Sequence, residues 1–167
     1  LSDDVIDAPR PCLRQLLDVH DKFGASVLAL MEVPPDRISA YGVVAAEAVA
    51  FNGTSDRLYR VTDLVEKPPA GEAPSNLAII GRYILTPHIF DALDHTGRGS
   101  GGELQLTDGL RHMLGTERIL AYKFRGKRYD AGDKLGFLQA TVEVALNNEE
   151  LGPAFRAYLQ SLNLDRQ

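Results

Sequence analysis

The 167-residue chain is long enough for one substantial hydrophobic core, and its 44% hydrophobic and 25% charged residues are typical of a globular protein. No apolar run approaches the roughly 20 residues that a membrane-spanning helix needs, so we expect no membrane insertion. The formal net charge is −5, from 18 Lys and Arg against 23 Asp and Glu, and predicts no nucleic-acid partner. The single cysteine, Cys12, excludes an internal disulfide and zinc sites built from cysteine pairs, and favours a cytoplasmic location.

The first half of the chain predicts one helix followed by three strands. "CLRQLLDVHDKFG" has helical spacing of Leu13, Leu16, Leu17 and His20, and Gly24 suits the left-handed position after a helix. "ASVLALMEV" is typical of a strand covered on both faces, and a helix followed by a buried strand indicates a crossover unit with a parallel sheet. "YGVVAAEAV" and "LYRVTDLVEK" are strand-like, and Asn52-Gly53 between them predicts a hairpin turn.

The second half predicts two strands and four helices. The strand "LAIIGRYILT" stops at Thr86-Pro87, where a hydroxyl cap before a proline predicts the helix "PHIFDALDH". A glycine loop, "RGSGG", precedes the predicted helix "ELQLTDGLRHML", and "ILAYKFRGKRYDAGD" is a strand with a basic turn at 125–128. Asp133 can cap the next helix, "KLGFLQATVEVALNN", and "GPAFRAYLQSLN" forms the last one. This alternation predicts an α/β fold.

Acidic and basic side chains stand at the ends of apparent strands. Asp3 lies near the start of the chain, Glu66 and Lys67 close the strand-like run "LYRVTDLVEK", and Asp130 lies near the end of "ILAYKFRGKRYDAGD". Because ligands of open α/β sheets bind beyond the carboxyl ends of the strands, these groups can converge. Two carboxylates and a lysine suit a Mg²⁺-dependent phosphate reaction, since Mg²⁺ takes one or two protein carboxylates and leaves its other positions to phosphate and water.

Residue types alone favour ordinary structural roles for these positions. An aspartate such as Asp3 is most often solvated or a cap, and Asp130 and Asp133 fit turns and caps. Glu66 and Lys67 fit a polar strand end before the Pro68-Pro69 turn. The four histidines have no second ligand at metal spacing, and the glycine loop lacks the Gly-Lys-Ser/Thr ending of a P-loop.

Four segments of the chain together carry a family resemblance: "VEKP", "APSNLAIIGRYILTPHIFDAL", "GGELQLTDGL" and "GKRYDAGDKLGFLQATVEVAL". In this order they closely resemble the bacterial UTP-glucose-1-phosphate uridylyltransferases, a branch of the sugar-phosphate nucleotidylyltransferases, from Asp3 to about Leu159. The resemblance implies a Rossmann-like α/β fold with a mainly parallel central sheet flanked by helices and a small sugar-side β element. It also implies a single domain over residues 1–167, with C-terminal helices from about residue 133.

The resemblance implies a reaction and a set of site residues. Glucose 1-phosphate and UTP would give UDP-glucose and pyrophosphate by in-line attack on the α-phosphate, with Mg²⁺ as cofactor. Asp3 and Asp130 would bind the metal, Glu66 would accept hydrogen bonds from sugar hydroxyls, and Lys67 would hold the sugar phosphate. The other implied substrate-binding residues line the same pocket: Gly42, Ile79, Gly81 and Tyr83.

The chain has no counterpart of the family's glycine-rich nucleotide loop or of its uracil-reading segments. We therefore expect it to be an N-terminally incomplete portion of the enzyme that is inactive by itself. A related enzyme that uses dTTP or CTP, and a non-catalytic sugar-nucleotide-binding paralogue, are the alternatives. The resemblance also implies a homo-oligomer.

Overall fold

The computed structural model of the protein describes residues 3–51, 54–69, 71–97 and 102–163. Contacts between Cα atoms divide the chain into two compact units. Arg10–Arg125 form the first, called here the barrel unit, while Ser2–Pro9 and Gly126–Gln167 form the second, called here the hairpin-helix unit. A single domain over residues 1–167, with C-terminal helices from about residue 133, stays a prediction.

Seven strands and five α-helices are assigned within the described part of the chain, with one short 3-10 helix at Pro35–Ala40. In chain order they are β1 (Asp4–Asp7), α1 (Cys12–Phe23), β2 (Ser26–Glu32), β3 (Gly42–Phe51), β4 (Thr54–Glu66), β5 (Leu77–Ile84), α2 (His88–Asp94), α3 (Leu106–Met113), β6 (Ile119–Lys123), β7 (Lys127–Asp130), α4 (Lys134–Asn147) and α5 (Gly152–Ser161). The predicted α/β class is thus confirmed.

The five strands of the barrel unit pair in the order β2-β5-β3-β4-β6, and β6 pairs back with β2, so the sheet closes into a barrel. β2 and β6 run parallel, whereas the other pairings of these described strands are antiparallel. The predicted mainly parallel sheet is therefore confirmed only for one pair. Chain connectivity explains the difference: only two residues separate β3 from β4 in the sequence, which requires antiparallel strands, whereas β3, β4, β5, α2 and α3 all lie between β2 and β6 in the chain.

β3 and β4 form the predicted hairpin. Phe51 lies opposite Thr54 at its end, so the strand pairing agrees with the prediction. The predicted turn residues Asn52 and Gly53 lie outside the described residues, as do residues 98–101 of the glycine loop. The hairpin places Gly42, at the beginning of β3, directly opposite Glu66, at the end of β4.

A large hydrophobic cluster lies in the barrel unit and includes fully buried residues of β2, β3, α3 and β6: Leu28, Leu30, Val44, Leu110, Met113, Ile119 and Ala121. Burial of each leucine side chain contributes roughly 1.5–3 kcal/mol. α1 buries Leu16 and Val19, leaves Leu13 exposed, and ends at Gly24 with a left-handed φ of 61°, as predicted. Burial raises the pKa of the Cys12 thiol to about 11, so this thiol is protonated at neutral pH and is a poor nucleophile.

The helix predicted after Thr86-Pro87 is present, but its predicted cap is wrong. α2 begins at His88, and no side chain caps it. The Thr86 hydroxyl instead donates a hydrogen bond to a carboxylate oxygen of Glu117, and the Thr86 backbone N–H donates to Ser26 Oγ at 3.0 Å. Because a tertiary acceptor takes the hydroxyl, the local capping pattern in the sequence does not form.

The hairpin-helix unit combines a two-stranded antiparallel sheet with two helices. β1 pairs with β7, and Asp4 lies opposite Asp130. Asp133 caps α4 as predicted, because its Oδ2 accepts the backbone N–H of Gly136 at 2.9 Å. α4, α5 and the residue before α5 expose large apolar side chains: Leu135, Phe137, Leu138, Val144, Leu151 and Tyr158. In the described part of the chain, no helix has both the length and the apolar character needed to cross a bilayer.

Candidate active site

All six residues predicted for the sugar-phosphate side line one cavity of the barrel unit, which has a volume of about 430 Å³. They are Gly42, Glu66, Lys67, Ile79, Gly81 and Tyr83. Strand ends and one strand face supply them, since β3 begins at Gly42, β4 ends at Glu66, and β5 contributes every second residue from Ile79 to Tyr83. Gln105, just before α3, and Thr107, in its first turn, line the same cavity.

Glu66 is held in place by a hydrogen bond from another element. The Thr107 hydroxyl donates to Glu66 Oε2 at 2.6 Å, and Glu66 Oε1 lies 4.0 Å from Lys67 Nζ. Gly42 makes room for this carboxylate, because a Cβ added there would stand 3.0 Å from Glu66 Oε2 and 3.2 Å from Thr107 Oγ1. A glycine at this position therefore leaves the carboxylate open to the cavity.

Lys67 has an unusual backbone. Its φ of 45° lies in the left-handed region, and it is the only described non-glycine residue with a positive φ. Its N–H donates to Tyr41 O at 3.1 Å. Adjacent side chains of a regular strand would point to opposite faces, but this turn brings the Glu66 and Lys67 side chains to the same cavity. Strain of this kind persists where surrounding contacts fix the conformation, and it is concentrated at functional sites.

Gly81 allows an irregularity in β5. The register between β2 and β5 shifts between the pairs Leu28–Tyr83 and Leu30–Ile79, and Gly81 adopts a φ of 67° between them. A bulge of this kind bends the strand and re-aims its neighbouring side chains. The left-handed backbone explains why a glycine stands in the middle of an otherwise apolar strand.

Tyr83 remains neutral over the physiological pH range. Burial raises the pKa of its phenol to about 12, and the negative charge of Glu66 contributes in the same direction. The Tyr83 hydroxyl therefore remains a hydrogen-bond donor in the cavity at pH 7.

The raised pKa of Tyr83 predicts an alkaline loss of stability. The unfolded phenol ionises near pH 10.0 and the folded one near 12, so the free energy of unfolding falls as pH rises through this window. We expect Tyr83→Phe to lose less stability than the wild type between pH 9.5 and 11, as measured by urea unfolding at each pH. Tyr158→Phe, at an exposed tyrosine, is the matched control and keeps the wild-type slope. A Tyr83→Phe slope equal to that of the wild type would contradict the prediction.

The hairpin-helix unit brings Asp3 and Asp130 together. Asp3 lies immediately before β1 and not at the end of a strand, whereas Asp130 ends β7 as predicted. Ala131 N donates to Asp3 O at 2.8 Å. A Cβ added to Gly132 would lie 2.8 Å from Asp3 Oδ2 and 3.3 Å from Asp130 Oδ1, so both carboxylates border the space that this glycine leaves open. Antiparallel pairing of β1 with β7, and not neighbouring parallel strands, creates this arrangement.

Two carboxylates bordering one open space fit Mg²⁺, which prefers oxygen ligands and keeps several positions for water and phosphate. Among the residues that the structure describes, no group of three or more His, Cys, Asp or Glu side chains forms a complete metal cage.

Comparison with known proteins assigns the chain to a family. The model of the nucleotidyl transferase family matches residues 1–147. The chain belongs to this family. One nucleotidyl transferase relative, named UTP-glucose-1-phosphate uridylyltransferase, from Staphylococcus epidermidis strain ATCC 35984, is 43% identical over 164 residues, which are 98% of this chain and 55% of the relative.

Two solved structures resemble the nucleotidyl transferase fold of this chain. A UDP-glucose pyrophosphorylase complexed with UDP-glucose superposes with a TM-score of 0.76 at 38% identity, over 97% of this chain and 55% of that one. A UTP-bound UGPase from Acinetobacter baumannii gives a TM-score of 0.82 at 30% identity, over 97% and 55%. The chain thus spans about 55% of the length of these relatives.

Three residues that contact predicted site residues were not singled out by the sequence analysis. Thr107 positions the Glu66 carboxylate. Arg128 donates through Nε to Asp4 Oδ1 at 2.5 Å and through a terminal nitrogen to Asp130 Oδ2 at 3.3 Å. Asp4 and Arg128 are both almost completely buried, so this ion pair holds one side of Asp130. The partners are 124 residues apart in sequence, and no local pattern indicates such a pair.

Proposed function

We propose that the protein carrying this chain is a UTP-glucose-1-phosphate uridylyltransferase, which converts glucose 1-phosphate and UTP into UDP-glucose and pyrophosphate. The observation that carries the proposal is the single cavity lined by all six residues of the sugar-phosphate side. The names of the relatives and of the two solved structures support the same substrates and product.

The cavity offers complementary groups to a sugar phosphate. Glu66 Oε1 and Lys67 Nζ lie 4.0 Å apart and both border the cavity, so an acceptor for hydroxyl groups stands beside a cation for phosphate. Glucose 1-phosphate carries its hydroxyl groups and its phosphate on one small ring. Glu66 would accept the hydroxyl hydrogen bonds, and Lys67 would neutralise the phosphate as a point charge.

The proposed reaction is one in-line displacement. A phosphate oxygen of glucose 1-phosphate forms a bond to the α-phosphorus of UTP, and the bond from that phosphorus to the β-phosphate oxygen breaks as pyrophosphate leaves. Lys67 holds the attacking phosphate and offsets part of the charge that the two polyanions bring together. Asp3 and Asp130 would hold Mg²⁺, which when bound polarises phosphate oxygens and neutralises their charge. No covalent enzyme intermediate is needed.

Pyrophosphate release by the full-length protein, with glucose 1-phosphate, UTP and Mg²⁺, tests the proposal. We expect steady turnover in the wild type and a large loss in both Asp130→Ala and Lys67→Ala. Unchanged rates in both variants would overturn the site assignment, and an inactive wild type would overturn the function. Competition with dTTP and CTP measures the base preference. Homo-oligomerisation and a cytoplasmic location stay predictions.

A further inference from the structure

Thr107 makes a contact that its place in α3 does not require. A threonine in the first turn of a helix normally bonds to the helix's own backbone or to water. The Thr107 side chain instead crosses to the end of β4 and donates to Glu66 Oε2 at 2.6 Å, although 41 residues separate the two in sequence. Thr107 is 7% exposed, so solvent competes little for its hydroxyl.

Three contacts fix α3 against the elements around it. Leu110 is fully buried in the core. A Cβ added to Gly109 would stand 2.6 Å from Leu93 Cδ2, so α3 approaches α2 as closely as a glycine allows. Arg111, one turn after Thr107, pairs with both carboxylate oxygens of Asp63, at 2.7 and 3.1 Å. Because Asp63 precedes Glu66 by three residues, α3 and the end of β4 are joined at two successive points.

The hydrogen bond from the Thr107 hydroxyl restricts the orientation of Glu66 but leaves this carboxylate able to accept further hydrogen bonds. A carboxylate offers about four lone-pair sites, and Thr107 takes one of those on Oε2. Gly42 lies close to the same oxygen, since an added Cβ would be 3.0 Å from Glu66 Oε2 and 3.2 Å from Thr107 Oγ1. Glu66 is therefore held in one orientation while its Oε1 remains toward Lys67 and the cavity.

We propose that Thr107 is a positioning residue for sugar recognition: its hydroxyl fixes the orientation of Glu66, and thereby sets the affinity for glucose 1-phosphate and the discrimination against sugars that lack a hydroxyl group. This inference rests on the proposed function. A carboxylate with one fixed orientation loses a hydrogen bond when the sugar hydroxyl is absent, whereas a mobile carboxylate turns to another partner or to water.

The test compares Thr107→Val, which removes the donor but keeps the shape, with Thr107→Ser, which keeps the donor, in the full-length protein. We expect Thr107→Val to raise KM for glucose 1-phosphate by about tenfold, the loss typical of one hydrogen bond to a charged group. KM for UTP should stay within about twofold, and Thr107→Ser should restore most of the affinity. Thr107→Val should also narrow the preference for glucose 1-phosphate over its deoxy analogues.

Thr96→Val is the matched control, since it removes a hydroxyl that donates to Ala92 O, away from the cavity. A double-mutant cycle with Glu66→Ala separates positioning from a general structural role: we expect Thr107→Val to have no further effect on glucose 1-phosphate binding once Glu66 is absent. Thr107→Ala replaces Thr107→Val if circular dichroism shows the latter unfolded.

Binding of glucose 1-phosphate, measured by calorimetry, distinguishes the two levels of inference. If the wild type neither binds glucose 1-phosphate nor turns it over, the proposed function and this inference both fail. If the wild type binds and Thr107→Val binds equally well, only the inference fails. Three other outcomes would also overturn the inference. They are equal rises in KM for both substrates, additive effects of Thr107→Val and Glu66→Ala, and a Thr107→Ser variant that binds glucose 1-phosphate as weakly as Thr107→Val.

Discussion

Lys67→Ala and Lys67→Gly are expected to lower turnover equally, by roughly a hundredfold to a thousandfold. The free energy of unfolding is expected to be about 1 kcal/mol higher for the glycine variant than for the alanine variant. Both substitutions remove the cation beside Glu66. Only glycine relieves the strain of the left-handed backbone, because the φ of 45° at position 67 brings the Cβ of any other residue too close to the neighbouring backbone. Pyrophosphate release measures the first effect, and urea unfolding measures the second.

Arg14 provides the control for the stability measurement. It lies in the first turn of α1 with an exposed side chain, where glycine should be less stable than alanine by up to about 1 kcal/mol. The order of the two variants is therefore expected to reverse between Arg14 and Lys67. A Lys67→Gly variant that is less stable than Lys67→Ala would show that the backbone at Lys67 carries no strain, and wild-type turnover in either variant would remove Lys67 from the site.

Through the family resemblance, the sequence was sufficient to predict which residues share this cavity of the barrel unit, although residue types alone favoured a polar strand end for Glu66 and Lys67. The family resemblance singled out Gly42 and Tyr83 as well, and these residues face the same space because β3, β4 and β5 lie side by side. Their roles in catalysis stay predictions. The left-handed turn at Lys67 was not predicted, because a lysine before two prolines gives no signal for a positive φ.

The direction of the strands was harder to predict than their positions. A helix followed by a buried apolar strand indicated a parallel sheet, and "ASVLALMEV" does pair in parallel with β6. Its other neighbour, β5, runs antiparallel and is equally apolar at its beginning. Burial on both faces produces the same continuous apolar run in either orientation, so the pattern fixes the burial of a strand and not its direction.

Long-range polar contacts could not be predicted from local sequence patterns either. Thr107 and Glu66 are 41 residues apart, and Asp4 and Arg128 are 124 apart. Threonine in the first turn of a helix, and arginine in a basic turn, each have an ordinary local explanation. Only tertiary packing brings these donors to their acceptors, and packing is specified by the whole core.

Gly136→Ala is expected to destabilise the protein by about 3 kcal/mol, the upper range for forcing extra volume into a packed site. A Cβ at Gly136 would stand 2.1 Å from the Asp130 carbonyl oxygen and 3.0 Å from its carbonyl carbon. Backbone atoms cannot rotate out of the way as a flexible side chain can, so α4 and the end of β7 have to separate. Denaturant unfolding of Gly136→Ala and wild type measures the loss. Gly71→Ala, whose added Cβ meets nothing within 4 Å, is the matched control and should unfold within about 1 kcal/mol of the wild type.

The same substitution should change metal dependence, because Asp130 carries both the obstructing carbonyl and a predicted Mg²⁺ ligand. Displacement of its backbone moves Oδ1 away from Asp3 Oδ2 and weakens the ion pair through which Arg128 holds Oδ2. We expect the full-length Gly136→Ala protein to need at least about tenfold more Mg²⁺ for half-maximal turnover, since a misplacement on the order of 1 Å costs that much or more. Equilibrium Mg²⁺ titration followed by calorimetry should show the same weakening without turnover. A variant that is destabilised but keeps wild-type Mg²⁺ affinity would place the metal away from Asp130.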